Sequence, residues 1–225
     1  MTSIFITGIG RGIGFELARQ ALDKGWEVAG SVRSDQDRQR LAETLPAVSV
    51  LEFDVTDFDA VENAAATFSS PIDILINNAG IIGPARQSTA DMDFDGFAKT
   101  LQINSLAPLK VSQAFLPHLK KGRQARLITI SSRMGLMQHA QSDHIAYRAS
   151  KSAVNKIMQA LATDLEADNI CVIAMHPGWV QSDMGGPGAD ISVGKSAAGI
   201  LKVISGLDMS DTGQFINWDG QRMDW

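Results

Sequence analysis

The segment ITGIGRGIGFELA (residues 6–18) places Gly8, Gly10, Gly12 and Gly14 between an apolar run and an amphipathic one. Glycine gives up more backbone entropy on folding than any other residue, so such a cluster needs a structural reason. A turn that leaves a strand and enters a helix supplies one. Gly8 allows the sharp bend, while Gly12 and Gly14 let a ligand or a neighbouring segment approach bare backbone. The helix start behind them offers free N–H groups and a partial positive charge, which suits a pyrophosphate. The spacing of Gly8, Gly12 and Gly14, G-x-x-x-G-x-G, is not the G-x-G-x-x-G of the usual dinucleotide fingerprint, and alone it also suits a plain strand–helix turn.

On either side of this turn the chain alternates between two kinds of segment. SIFIT (3–7), WEVAGSV (26–32), VSVLEF (48–53), IDILIN (72–77), ARLITIS (125–131) and NICVIAM (169–175) are short and rich in Ile, Val and Leu. Strands buried on both faces of a parallel sheet read this way. GQFINW (213–218) is a weaker seventh candidate. Between them lie helical patterns, such as the face formed by Ile13, Leu17, Ala18, Ala21 and Leu22 before Gly25. The order predicts an α/β, Rossmann-like doubly wound fold with a mostly parallel seven-stranded sheet. No repeat or linker divides the 225 residues, so one domain over 1–225 is expected to hold both cofactor and substrate. PGWVQSDMGGPGADISVG (177–194), with two prolines and five glycines, reads as a mobile substrate loop.

Composition narrows the partners. With 44% hydrophobic and 20% charged residues the chain reads as globular, and a net charge of −5 argues against nucleic acid or an anionic membrane surface. In the one basic cluster, HLKKGRQAR (118–126), Lys120 and Lys121 complement the C-terminal dipole of a helix ending before Gly122. The single cysteine, Cys171, sits in an apolar run and reads as an inert buried thiol, which suits a reducing compartment. No run approaches the roughly 18 apolar residues of a membrane span, so a cytoplasmic location is expected.

Further motifs follow in a fixed order: TGIGRGIG, NNAG (77–80), Asn104, Ser132 closing LITISS, YRASK (147–151) and PGWVQSDM (177–184). This series resembles the short-chain dehydrogenase/reductase family from residue 3 to about residue 220. AYRASKSAVN, HPGWVQSDMGG and the ending FINWDGQRMDW resemble more particularly its C-factor and sniffer-type carbonyl reductases. The resemblance implies hydride transfer between a nicotinamide and a small carbonyl or alcohol substrate, with a catalytic set of Asn104, Ser132, Tyr147 and Lys151.

The residue types suit that chemistry. Tyr147 and Lys151 are four apart, hence on one helix face. Moving a phenol from about 10 toward neutrality requires roughly 4 kcal/mol. One ammonium about 4 Å away supplies that much at an effective dielectric of ~20. Lys151 is thus expected to tune Tyr147 as general acid/base largely alone, with an oxidised nicotinamide adding to it. Ser132 is expected to steady the carbonyl oxygen, the family pattern preferring it over Ser131, and the resemblance implies that Asn104 holds a water leading to Lys151.

The cofactor expectation is NADP(H). Val32 stands where the family's NAD-binding members carry Asp, Arg33 follows it, and Arg11 lies inside the glycine turn. Two guanidinium groups suit an extra phosphate. By the resemblance, Gly8, Gly10, Arg11, Gly12, Ile13, Gly14 and Arg33 hold the phosphates and ribose. Asp54 and Val55 meet the adenine, and Asn78, Ala79 and Gly80 frame the cofactor. Pro177, Gly178, Val180 and Ser182, with Tyr147 and Lys151, surround the nicotinamide. Ile81, Ile82, Met134, Met137, Trp179 and Met184 suggest an apolar or aromatic carbonyl.

His139 and His144, between Ser132 and Tyr147, lack a third ligand at a fixed spacing, so they read as surface residues and no metal is expected. His176 reads as a strand-end residue. The helices around 101–119 and after Tyr147 suggest a homodimer or homotetramer. A cofactor-binding signalling or redox-sensing protein of the same fold is the alternative, although such sensors often lose the tyrosine or lysine retained here.

Overall fold

The computed structural model describes residues 1–138 and 140–225. Its centre is a sheet in the order β10-β9-β6-β5-β4-β1-β2-β3, with every pairing parallel except β10 on β9. The strands are β1 (Ser3–Thr7), β2 (Glu27–Val32), β3 (Ser49–Glu52), β4 (Ile74–Asn77), β5 (Arg126–Ile130), β6 (Cys171–His176), β9 (Phe215–Asn217) and β10 (Arg222–Met223). The seven expected strands are present, and the sheet has eight, not seven. The extra one arises because the Asn217–Gln221 turn folds the C-terminal segment back, with Asn217 N–H bonded to the Gln221 carbonyl at 2.8 Å.

Helices α1 (Gly12–Asp23), α2 (Asp35–Thr44) and α7 (Val193–Gly206) contribute to the apolar layer on one face of the sheet. Helices α3 (Phe58–Thr67), α5 (Ala107–Leu119) and α6 (Ile145–Asp164) contribute to the layer on the other. The alternation of β1 shows the sorting: Ile4 and Ile6 enter the α1/α7 layer, and Phe5 enters the α3/α5/α6 layer. Both faces being covered, the strands keep most of their polar residues at their ends, which is why their centres read as short apolar runs.

The expected mobile loop at 177–194 has regular structure of its own. β7 (Val180–Gln181) pairs with β8 (Ile191–Ser192), and Ser192 caps α7, so residues 193–194 are helical. Trp179 Nε1 bonding the Gly185 carbonyl at 2.9 Å closes the bend between them. Helix α4 (Phe94–Leu101) runs through a π-helical segment, Gln102–Leu106, into α5. Lys120, past the end of α5, pairs with Asp168 at 2.8 Å. No helix among the described residues is long and apolar enough to cross a membrane.

Candidate active site

β1 lies between β2 and β4, so the connections leave it in opposite directions and open a crevice at the carboxyl ends of the strands. The glycine turn fills the β1 side of that crevice. Gly8 has φ +74° and Gly12 φ +56°, the left-handed region that glycine alone enters freely. Gly14 is needed for space: a Cβ there would lie 2.3 Å from the Gly8 carbonyl oxygen and 2.5 Å from Asn78 Nδ2. Helix α1 begins with no side-chain cap and no acidic residue in its first turn, and a Cβ on Gly12 would meet nothing within 4 Å. An uncapped helix start in open space fits a phosphate group.

NNAG braces this turn. Asn78 Nδ2 donates to the carbonyls of Thr7 at 3.0 Å and Gly8 at 3.2 Å, while Thr7 Oγ1 accepts the Asn78 and Ala79 N–H groups. Gly80 keeps a gap open, since a Cβ on it would sit 3.2 Å from Asn104 Oδ1 and 3.8 Å from Lys151 Nζ.

Beyond β2, Arg33 is exposed. Arg11 pairs with Asp183 of the 177–194 segment at 2.8 Å, a partner 172 positions away. The sequence reading missed Asp37 and Arg40 on α2. Arg40 bonds the Gly10 carbonyl and pairs with Asp37, whose carboxylate would lie about 3.0 Å from a Cβ on Gly10. The Ser34–Asp37 cap of α2 was the available signal. Burial raises the Asp54 carboxyl, but hydrogen bonds from the Thr56 N–H and hydroxyl, with Arg33 and Lys99 nearby, leave it below the usual range.

The four expected catalytic residues come together on the β4–β5 side, all buried. Tyr147 sits in the first turn of α6, and the Ser132 side chain is near enough to act on its phenol. Ser131 faces away, its hydroxyl given to Asn155 on α6, so the structure separates the two serines. Ser132 also accepts the Met134 N–H at 3.1 Å. Lys151 is directed at the Ile130 carbonyl, 2.8 Å from Nζ, and its ammonium lies 5.7 Å from the Tyr147 ring centroid.

This geometry corrects the expected tuning. Burial drives the Tyr147 phenol upward, opposed only by the neighbouring Ser132 side chain, and burial draws Lys151 down to about 8. Desolvation outweighs attraction because both groups are enclosed and the lysine's strongest contact is a backbone carbonyl.

Asn104 lies in the π-helical segment, a distortion that recurs at functional sites. Its carboxamide takes both backbone groups of Ile81, accepting the N–H at 2.9 Å and donating to the carbonyl at 2.8 Å, and donates to Ser150 Oγ at 3.0 Å. On the far wall, Pro177 accepts the Ser196 hydroxyl, Gly178 has φ +86°, Val180 is buried, and Ser182 accepts the Gly185 N–H at 3.2 Å. Met137, Trp179 and Met184 are exposed.

His144 is partnered by Asp143 at the surface, whereas His139 lies outside the described residues. His176 ends β6 with Nδ1 unpartnered, and burial pulls it down to about 4. Burial pushes the Cys171 thiol up to about 12. No cluster of three or more potential metal ligands occurs among the described residues.

Comparison with known proteins agrees with this geometry. Residues 2–190 match the family model described as short chain dehydrogenase. The C-signal of Myxococcus xanthus is 40% identical over 158 residues, 70% of this chain and 95% of that protein. The carbonyl reductase Sniffer of D. melanogaster superposes with a TM-score of 0.93 at 33% identity, covering 100% of both chains. An NADPH-bound carbonyl reductase from chicken fatty liver gives a TM-score of 0.92 at 33% identity, covering 100% of this chain and 99% of that one.

Proposed function

The chain belongs to the short chain dehydrogenase family of oxidoreductases, and from that premise we propose that it is an NADP(H)-dependent carbonyl reductase. The observation that carries the reading is the buried Ser132–Tyr147–Lys151–Asn104 group facing an uncapped helix start across one crevice. A nicotinamide held there supplies the hydride.

The chain's own residues do the rest. Ser132 and Tyr147 supply the two hydroxyls assigned to the carbonyl oxygen of a substrate, which accepts from both. Because burial holds the Tyr147 phenol protonated at neutral pH, it is suited to give its proton to the oxygen that becomes an alkoxide. Lys151, next on the same helix face, carries positive charge below about pH 8 and favours the phenolate left behind. Asn104 ties the Ile81 loop to α6, with its Oδ1 set against Gly80.

Arg33 and Arg11 are the groups assigned to the extra phosphate of NADP(H), and Ser182 with Pro177–Val180 to the nicotinamide end. The exposed Met137, Trp179 and Met184 favour an apolar or aromatic carbonyl. We place the activity in one unit over residues 1–225, in the cytoplasm, with α5 and α6 as the surface for a second copy. Light scattering on the purified chain tests the last point.

The likeness to C-signal supports a second reading, in which the chain binds cofactor and signals without turnover. The deciding experiment follows NADPH and NADH oxidation in parallel with a panel of aldehydes, ketones and quinones, for wild type and Tyr147→Phe. The reductase reading expects turnover with NADPH that the variant loses while still binding cofactor. NADPH binding without turnover across the panel would favour the signalling protein, and preferred use of NADH would overturn the cofactor assignment.

A further inference from the structure

Helix α6 carries both Tyr147 and Lys151, yet its own sequence does not close its first turn. His144 precedes it in the left-handed region, φ 52°, makes no capping hydrogen bond, and no acidic residue follows in the first turn. The open amides are met from sixty residues away. Gln87, buried in the loop after β4, accepts the Tyr147 N–H on Oε1 at 3.2 Å, and its main-chain carbonyl accepts the Ile145 N–H at 3.3 Å. Its Nε2 donates to the carbonyls of Ile82 at 3.0 Å and Pro84 at 2.8 Å.

Both donors and the acceptor of this carboxamide are therefore used. An ionised carboxylate has no donors for Ile82 and Pro84, so the arrangement requires an amide. The loop is shaped around it. Gly83 has φ +92°, and a Cβ there would stand 3.0 Å from Thr100 Oγ1 and 3.3 Å from Gln87 Nε2. The same loop is gripped by Asn104 at Ile81, so one short segment links two parts of the site to the start of α6.

We propose that Gln87 is a positioning residue for Tyr147: its amide caps α6 from the loop after β4, fixes the main chain of the phenol-bearing residue, and, being uncharged, leaves the positive end of the helix dipole facing the phenol. This rests on the reading of Tyr147 as the general acid.

Of the other charges near this end of α6, Asp143, Asp91 and Lys151 have partners elsewhere. Asp143 is taken by Arg148 and His144, and Asp91 by Arg86. Lys151 is held by the Ile130 carbonyl, and Arg133 follows Ser132 at the surface. A negative charge at position 87 would therefore act on Tyr147 from the helix start itself.

Tyr147 is the chain's only tyrosine, so the near-ultraviolet tyrosinate band of the intact protein reports its ionisation without any substrate. We would titrate that band in wild type, Gln87→Met and Gln87→Glu. NADPH affinity and the pH profile of kcat would be measured on the same proteins with the best carbonyl of the panel.

Gln87→Met should bind NADPH within about two-fold of wild type while kcat falls about ten-fold or more, the consequence of a displaced reacting group. Gln87→Glu should move both the tyrosinate titration and the Tyr147 limb of the pH profile upward by about one pH unit. A Gln87→Met protein with wild-type kcat, or a Gln87→Glu protein whose tyrosine titrates at the wild-type pH, overturns the assignment. Wild-type turnover in Tyr147→Phe would instead remove the underlying reading, whatever Gln87 does.

Discussion

The two ends of the crevice are built on opposite principles. At the catalytic end Asn104, Lys151, Ser132 and Tyr147 are 0%, 5%, 6% and 8% exposed. At the phosphate end the side chains of Arg11 and Asp183 are 73% and 80% exposed. Buried polar groups must each find a partner, so the first end is locked by hydrogen bonds whose loss costs the full desolvation penalty. The second is shaped by backbone, with glycines clearing space and charges that water and salt screen. The polar groups of the first end are thus held by the packed interior, while the charged pair at the second lies in solvent.

The largest effect expected at the rigid end is Tyr147→Phe. Removing a positioned proton donor should lower kcat about 10²- to 10⁴-fold, with cofactor affinity retained. Steady-state rates and a fluorescence titration with NADPH check it, and a modest loss would mean that the two ends differ less than their burial implies.

Two glycines of one turn sharpen the contrast further. Gly14→Ala puts a methyl against the Gly8 carbonyl and Asn78 and should lower stability by about 2–3 kcal/mol or more. Gly12→Ala meets only open space and a left-handed φ, so about 1–2 kcal/mol is expected. Denaturant melts of the pair measure the difference, which vanishes if space is not what Gly14 provides.

The buried lysine makes a pH prediction. Lys151 is held at about 8 in the folded chain against about 10.4 unfolded, so between these values the unfolded state binds more protons. Its contribution to stability therefore rises with pH from about 8 to 10, by roughly 1 kcal/mol per unit at most. Above about 10 Tyr147 acts in the opposite sense, because its raised phenol keeps a proton that the unfolded chain releases. In melts across this window, the stability of wild type relative to Lys151→Met should rise with pH.

The smallest effect belongs to the exposed pair. Arg11→Ala or Asp183→Ala should change stability by less than about 1 kcal/mol. Arg11→Ala should nonetheless raise the KM for NADPH more than that for NADH, and more so at low salt. Equal changes for both cofactors would free Arg11 of any role at the extra phosphate.

How much of this was legible before folding follows from what sequence patterns record. Apolar periodicity reports local burial, so the strands and the α/β order could be read, and the motif series carried the catalytic set. Polar side chains that meet across the chain leave no period. Nothing near Gln87 announced that it would cap a helix sixty residues on, and nothing near Arg11 named Asp183. The choice of Ser132 over Ser131 came by resemblance, and its physical reason is the strand end that turns Ser131 toward Asn155.

The sequence by itself determined which elements form, in what order, and that a glycine turn and a Ser–Tyr–Lys set share one chain. Tertiary structure alone decided the eighth strand, the pairing of β7 with β8 inside 177–194, and the balance of forces on Tyr147 and Lys151. These depend on which groups lose water and which backbone carbonyls they face, and desolvation is a property of the packed interior that no linear spacing encodes.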